Sequence, residues 1–95
     1  PTIILVFGDE DIKTYIKDAS TAIENMHLAA TSLNLGACWI NCAQDLFDSE
    51  KGDYIREKIQ IPSQYRCIGS LAVGYIDGEC PEAKPRRDNI VKIIK

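Results

Sequence analysis

The order of the predicted elements, strand, helix, helix and strand, indicates one small domain with a mixed α/β layer architecture. Three observations predict it: a β-branched run at residues 2–7, an apolar stripe at helical spacing over residues 19–33, and a second strand-like run over residues 67–76. The chain has 95 residues, of which 45% are hydrophobic and 26% charged, so residues 1–95 are expected to form one unit.

Residues 2–7 form a continuous β-branched and aromatic run that Gly8 closes. Strands that are buried on both faces have unbroken apolar runs, whereas half-exposed strands alternate. We therefore predict a strand that other elements cover on two sides. Residues 10–17 predict a short helix or an irregular turn, and Asp18 is expected to cap the main helix with its carboxylate.

The main helix is predicted over residues 19–33, where apolar side chains recur at i, i+3, i+4 and i+7. Leu28 adds a second apolar side, so the helix is predicted to be largely buried. Its many alanines allow close approach of another helix, from the same chain or from a neighbouring subunit. Asn34 and Gly36 both tolerate the left-handed conformation that ends a helix.

Residues 37–42 are too few for a helix and too apolar for a free loop, so we interpret them as a buried, extended connection. A second helix is predicted from Asp48 or Ser49 to about Lys58. The side chains expected to face inward from this helix are Tyr54, Ile55 and Ile59.

The final strand is predicted over residues 67–76, where Gly69 and Gly74 indicate close packing of the backbone. Residues 77–87 are rich in proline and charge, which predicts a loop. The β-branched residues within 89–94 could pair with another strand or another chain.

The net charge of −3 and the pI near 5.0 disfavour binding to nucleic acid or to an anionic membrane. No apolar run reaches the roughly 18 residues of a membrane-spanning helix, and the first residues lack the basic flank of a signal peptide. These features predict a cytoplasmic location, in which the four cysteines stay reduced.

Two segments are candidates for binding a ligand. The apolar loop around Trp39 could place its backbone amides against a flat aromatic ligand, although core packing is the commoner role for such a tryptophan. In the basic turn at residues 84–87, Lys84, Arg86 and Arg87 could hold one phosphate. A solvated turn is the commoner role of such a cluster.

A thiol site is a further alternative, because Cys38 and Cys42 are four residues apart and could bind zinc or act in redox chemistry. No second pair of ligands accompanies them, and His27 is the only histidine. No Ser/His/Asp or Cys/His pair can be proposed from spacing, so we assign no catalytic residue and no metal ligand.

Five segments in order along the chain resemble the C-terminal half of FMN-dependent nitroreductases: residues 18–30, 33–40, 61–66, 69–75 and 84–87. The resemblance implies a nitroreductase-like α+β fold, present as a partial domain with a central sheet and a long buried helix. It also implies a homodimer with FMN at the interface, and hydride passing from NAD(P)H through the flavin to a nitro, quinone or similar acceptor. Because the flavin carries the redox chemistry, no dedicated acid or base is needed.

The resemblance also implies which residues bind the cofactor. The backbone of residues 39–42 would lie against the isoalloxazine, with amides near its N5 edge, and cations near the tail would hold the phosphate. The helix that contains Asn25 would form the subunit interface. The cofactor-binding residues implied are Trp39, Ile40, Asn41 and Cys42 at the ring, and Lys84, Arg86 and more weakly Arg87 at the phosphate.

Two departures from the family pattern qualify these expectations. Asn34 stands where the family commonly has glycine, a change that the left-handed conformation accommodates. The family's N-terminal Arg-Ser-x-Arg type of motif is missing, so the chain is expected to be an incomplete part that is inactive alone. The alternative is a non-catalytic dimerisation or interaction module, a truncated remnant that holds no flavin.

Overall fold

The chain folds as an α+β unit with one three-stranded sheet. The computed structural model describes all 95 residues. The strands lie in the order β1-β3-β2, and both neighbouring pairs are antiparallel. The fold class predicted from the sequence is confirmed. In chain order the elements are β1 (Thr2–Asp9), α1 (Tyr15–Ser32), β2 (Leu35–Ile40), α2 (Ala43–Phe47), α3 (Glu50–Lys58) and β3 (Tyr65–Tyr75).

The central strand β3 holds most of the core. It pairs with both other strands, so its backbone is satisfied on both sides and its side chains are covered by neighbours. Cys67 and Leu71 are completely buried, and Leu71 lies opposite Ile4 of β1 and Trp39 of β2. The predicted strand over residues 67–76 is confirmed, with a start two residues earlier and an end one residue earlier.

The first strand is not buried on both faces, so that prediction was wrong. β1 lies at an edge of the sheet, and the side chains of Ile3 and Leu5 are 58% and 37% exposed. The unbroken apolar run identified a strand correctly. It did not reveal the number of covering layers, which depends on elements distant in sequence.

Helix α1 begins earlier than predicted, at Tyr15 instead of Ala19, and Thr14 is its N-cap residue. Asp18 lies in the first turn and is not the cap. Its carboxylate accepts a hydrogen bond of 2.7 Å from the Thr14 hydroxyl. An acidic side chain there still interacts favourably with the free amides at the start of the helix.

The prediction that this helix is largely buried was also wrong. Only Ala19, Ile23 and Ala30 are buried, whereas Leu28 and Leu33 are 59% and 68% exposed. The helix packs one stripe against the sheet, and its second apolar side faces outward. The helix ends where predicted, because Asn34 has φ = 56° in the left-handed region.

Residues 37–42 form less of a connection and more of a strand than predicted. Leu35 to Ile40 pair along β3, from Leu35 opposite Tyr75 to Ile40 opposite Ser70. The segment is extended, as expected, but its backbone is satisfied by a ladder with a strand about 30 residues away. Only Asn41 and Cys42 remain as the connection into α2.

The second predicted helix corresponds to α3, with Ser49 at its N-cap position and its end at Lys58. The short helix α2 was not predicted. The inward face was assigned wrongly, because Tyr54 and Ile59 are 63% and 45% exposed. Gly52 faces inward instead, and a Cβ atom there would lie 2.5 Å from the Phe47 backbone, so α2 and α3 can meet only at a glycine.

Arg56 joins these two helices to the sheet. Its guanidinium carbon lies 5.6 Å and 5.7 Å from the ring centroids of Phe7 and Phe47, and the two rings meet edge to face at 5.1 Å. Arg56 Nη1 also donates a hydrogen bond to the carbonyl oxygen of Tyr65. One side chain thus contacts β1, α2 and the start of β3.

The residues after β3 form no helix or strand and make no hydrogen bond to the rest of the chain. Ile90 and Ile94 are 70% and 85% exposed, so residues 89–94 do not pair with a strand of this chain. The radius of gyration is 16.5 Å, against about 12 Å for a compact chain of this length. No helix is both long and apolar enough to cross a bilayer.

Candidate flavin site

The loop that follows β2 presents unpaired backbone donors. The N–H groups of Asn41 and Cys42 lie between β2 and α2 and donate no hydrogen bond within the chain. The preceding residue is held firmly, because Ile40 pairs with Ser70 and its carbonyl accepts from the Ser70 hydroxyl at 3.5 Å. The two free amides therefore extend from an anchored strand end, as a backbone site for a flat ligand requires.

A cavity of about 280 Å³ adjoins this loop. The start of α1, the loop after β2 and the start of β3 enclose it. Trp39 and Asn41 line it from the loop, Arg66 and Cys67 line it from β3, and Asp48 lines it from the residue after α2. Aromatic, polar and charged groups thus share one small space beside the free amides.

Gly69 of β3 sets the position of the Trp39 indole. A Cβ atom on residue 69 would lie 2.7 Å from the indole nitrogen of Trp39 and 3.4 Å from Ile23. The close packing predicted for Gly69 is confirmed. The same prediction was wrong for Gly74, where the nearest atom to such a Cβ would be 3.9 Å away.

Gly69→Ala is therefore expected to push the Trp39 ring outward and to destabilise the fold by about 1–3 kcal/mol, the usual cost of overpacking. Trp39 is the only tryptophan, so its fluorescence emission should shift to the red. Gly74→Ala is the matched control in the same strand and should leave the emission maximum unchanged. Equal spectra for the two variants would contradict this packing.

An ion-pair network borders the cavity. Arg66 Nε donates to Glu10 Oε2 at 2.7 Å, and Arg66 Nη1 lies 3.7 Å from Asp48 Oδ1. The hydrogen bond to Glu10, followed by that residue's charge, raises the pKa of Arg66 above its ordinary value. The guanidinium is oriented through Nε, and its terminal nitrogens donate no hydrogen bond within the chain.

Burial raises the pKa of the Cys67 thiol above its ordinary value. Cys38, Cys42 and Cys80 are exposed and unpaired. Because the thiolate is the reactive form, we expect three cysteines to react quickly with a thiol reagent near pH 8 and Cys67 to react only on unfolding.

The unfolded thiol also ionises first as pH rises, so the free energy of unfolding should fall above its ordinary pKa of about 8.5. Cys67→Ser should remove the slow phase of labelling and leave the three fast thiols. A fast fourth thiol in the native chain would contradict the burial.

The predicted ring-binding and phosphate-binding residues are not brought together within this chain. The tail begins after Tyr75, which pairs with Leu35 at the opposite end of β2 from Ile40. The phosphate candidates Lys84, Arg86 and Arg87 are exposed, and no hydrogen bond, ion pair or shared cavity connects them with the loop after β2.

The thiol alternative gains no support from the fold, because no three His, Cys, Asp or Glu side chains gather around Cys38 and Cys42. Sequence reasoning also missed Arg66 and Asp48, which line the cavity from separate elements. Nothing in their local sequence marks them, since their proximity depends on how α2 packs against β3.

The comparisons with known proteins follow from this geometry. A family model described as the nitroreductase family matches residues 1–75, most of the chain. The chain belongs to the nitroreductase family. No curated protein sequence is significantly similar to this nitroreductase.

Solved nitroreductase structures share the fold. A nitroreductase with bound FMN from Bacteroides fragilis NCTC 9343 superposes with a TM-score of 0.90 at 29% identity, over 100% of this chain and 51% of that one. An FMN-dependent nitroreductase from Clostridium difficile R20291 has a TM-score of 0.69 at 32% identity, over 94% and 51%. A nitroreductase with bound FMN from Desulfitobacterium hafniense DCB-2, at 19% identity, shows the fold alone, with a TM-score of 0.79 over 96% and 50%. The chain thus spans about half the length of these relatives.

Proposed function

We propose that this chain is part of an FMN-dependent oxidoreductase, in which residues 1–95 form the C-terminal part of a single nitroreductase-like domain. The family match and the FMN-bound relatives support the cofactor class. The observation that carries the proposal for this chain is the pair of unpaired N–H groups at Asn41 and Cys42, at the strand end where the family resemblance places the flavin ring.

At the ring end, the backbone of residues 39–42 is proposed to hold the isoalloxazine. Trp39 and Ile40 supply the apolar backing, and the amides of Asn41 and Cys42 donate toward its N5 edge. Bound flavin supplies hydride transfer, and donors at this edge favour its electron-rich reduced form. The two amides have no competing acceptor in the chain, so binding breaks no existing hydrogen bond.

At the phosphate end, Lys84 and Arg86 are proposed to neutralise the FMN phosphate, with Arg87 as a weaker contributor. Their side chains are exposed and have no ion-pair partner. Because the tail makes no hydrogen bond to the body of the chain, it can be repositioned at little cost when a ligand or a neighbouring subunit arrives.

The wider proposal includes NAD(P)H as hydride donor, a nitro, quinone or similar compound as acceptor, and a homodimer or a complementing N-terminal segment that completes the site. The exposed leucines of α1, Leu28 and Leu33, support a partner surface on that helix. A cytoplasmic location is proposed with it, because all four cysteines are unpaired.

An FMN titration of the purified chain tests the proposal. Quenching of flavin fluorescence and a red-shifted band between 350 and 500 nm are expected on binding, followed by NADH or NADPH oxidation when a complementing segment is added. An intact mass measured on the same sample establishes which residues are present. A chain that leaves the FMN spectrum unchanged, with and without that segment, would contradict the assignment.

A second candidate function is a non-catalytic interaction module. Only 10 of the 95 residues are buried, and large apolar side chains such as Ile3 and Leu28 are exposed, as expected of a surface that another chain covers. This function predicts association without flavin binding, so the titration above distinguishes the two.

A further inference from the structure

The cavity beside the flavin loop has a polar end with unusual charge. Arg66 and Asp48 both line it, and Arg66 Nη1 lies 3.7 Å from Asp48 Oδ1, beyond hydrogen-bonding distance. Together with Glu10, which binds Arg66 Nε, the cluster has one positive and two negative charges. A cationic donor and an anionic acceptor thus face the same space, and neither is saturated by the other.

Such a pair selects the chemistry of its ligand. A carboxylate could pair with Arg66 but would be repelled by Asp48 and Glu10, and an ammonium group would meet the reverse conflict. A primary carboxamide has both an oxygen acceptor and an N–H donor, about 2.3 Å apart from standard bond lengths. It can accept from Arg66 and donate to Asp48 at the same time.

The remaining walls fit a flat ring. Trp39 and Ile68 offer apolar surface, while Tyr15 and Gln44 add neutral polar groups. The volume of about 280 Å³ is close to the lower limit of small-molecule pockets and accommodates one substituted ring. The Trp39 indole is held in place by its contact with Gly69, so this wall is fixed before a ligand arrives.

We propose that this cavity binds a primary carboxamide carried on a flat aromatic ring, with Arg66 donating to its oxygen and Asp48 accepting from its nitrogen. The nicotinamide of NAD(P)H has this chemistry, and its position beside Asn41 would bring it near the flavin ring. That last identification rests on the proposed function. The carboxamide selectivity rests on the Arg66–Asp48 pair alone.

The test is an NMR titration of the chain with nicotinamide and with nicotinate, its carboxylate analogue, in the absence of FMN. Trp39 is the only tryptophan, so its indole N–H gives a single signal at the cavity wall. Nicotinamide, with about nine non-hydrogen atoms, should bind with a dissociation constant of about 1 mM. Nicotinate should bind at least tenfold more weakly.

Two variants and a control separate recognition from folding. Asp48→Asn removes the repelling charge, so nicotinate should bind several-fold more tightly than to the unaltered chain, a gain that unfolding cannot produce. Arg66→Gln should weaken nicotinamide about tenfold without helping nicotinate. Asp45→Asn removes the same charge from an exposed site that does not line the cavity, and should leave the ratio unchanged.

Equal binding of the two ligands, an unchanged ratio in Asp48→Asn, or no indole shift with 20-fold excess over the expected constant would each overturn the proposal. A separate FMN titration keeps the two proposals independent. Nicotinamide binding without FMN binding would sink the flavin assignment only, and the reverse result would sink the carboxamide site only.

Discussion

Replacing Lys84 and Arg86 together with alanine is expected to weaken FMN binding about a hundredfold. Each cation is proposed to make a charge-assisted hydrogen bond to the phosphate, and such bonds contribute about 1.5 kcal/mol or more each. Two of them amount to about 3 kcal/mol, or roughly two orders of magnitude in dissociation constant. Flavin-fluorescence titrations of a form that holds FMN measure this change directly.

The control for this prediction lies in the same tail. Lys92→Ala with Lys95→Ala removes the same charge from residues outside the proposed phosphate site, so it separates local contacts from the general field of the protein. This control should change FMN affinity only slightly, and raising the salt concentration should reduce its effect further. If both double variants bind FMN with the affinity of the unaltered protein, Lys84 and Arg86 do not hold the phosphate.

Leu71→Ala is expected to cost about 2–5 kcal/mol of folding free energy, the range for removing a buried leucine side chain. Leu71 is completely buried at the centre of the sheet, between Ile4 of β1 and Trp39 of β2. A small domain often has only about 5–10 kcal/mol in total. With 10 buried residues in all, this chain has few other contacts to compensate, so the variant should be mostly unfolded near 37 °C.

Urea unfolding followed by circular dichroism measures this loss, and Leu28→Ala is the matched control. Leu28 is 59% exposed on α1, so its replacement should change the free energy of unfolding by less than about 1 kcal/mol. A loss for Leu71→Ala no larger than that for Leu28→Ala would show that β3 is not the centre of the core.

Local chemistry made much of the fold predictable. The left-handed Asn34 ends α1, Ser49 begins α3, and the β-branched run of β1 is a strand, all as the sequence indicated. Each of these signals acts within a few residues, through a backbone conformation or a capping position. The family resemblance added the expectation of a flavin loop, and the structure shows unpaired amides at Asn41 and Cys42.

The errors share a different cause. Burial of β1 and of α1 was overestimated because an apolar pattern records which faces can be covered, and this chain leaves Ile3, Leu28 and Leu33 uncovered. Residues 37–42 did not announce a strand, since β2 exists only through its pairing with β3. Asp48 and Arg66 gave no local sign of sharing a cavity.

The sequence by itself determined the family, the order of the main strands and helices, and the residues at which they start and stop, because those depend on short-range conformational preferences. Only the tertiary structure decided the order of strands in the sheet, which apolar faces are covered, and which charged side chains meet beside Trp39. Those properties arise from contacts between segments far apart in the chain, and a pattern within one segment does not specify the partner that it will meet.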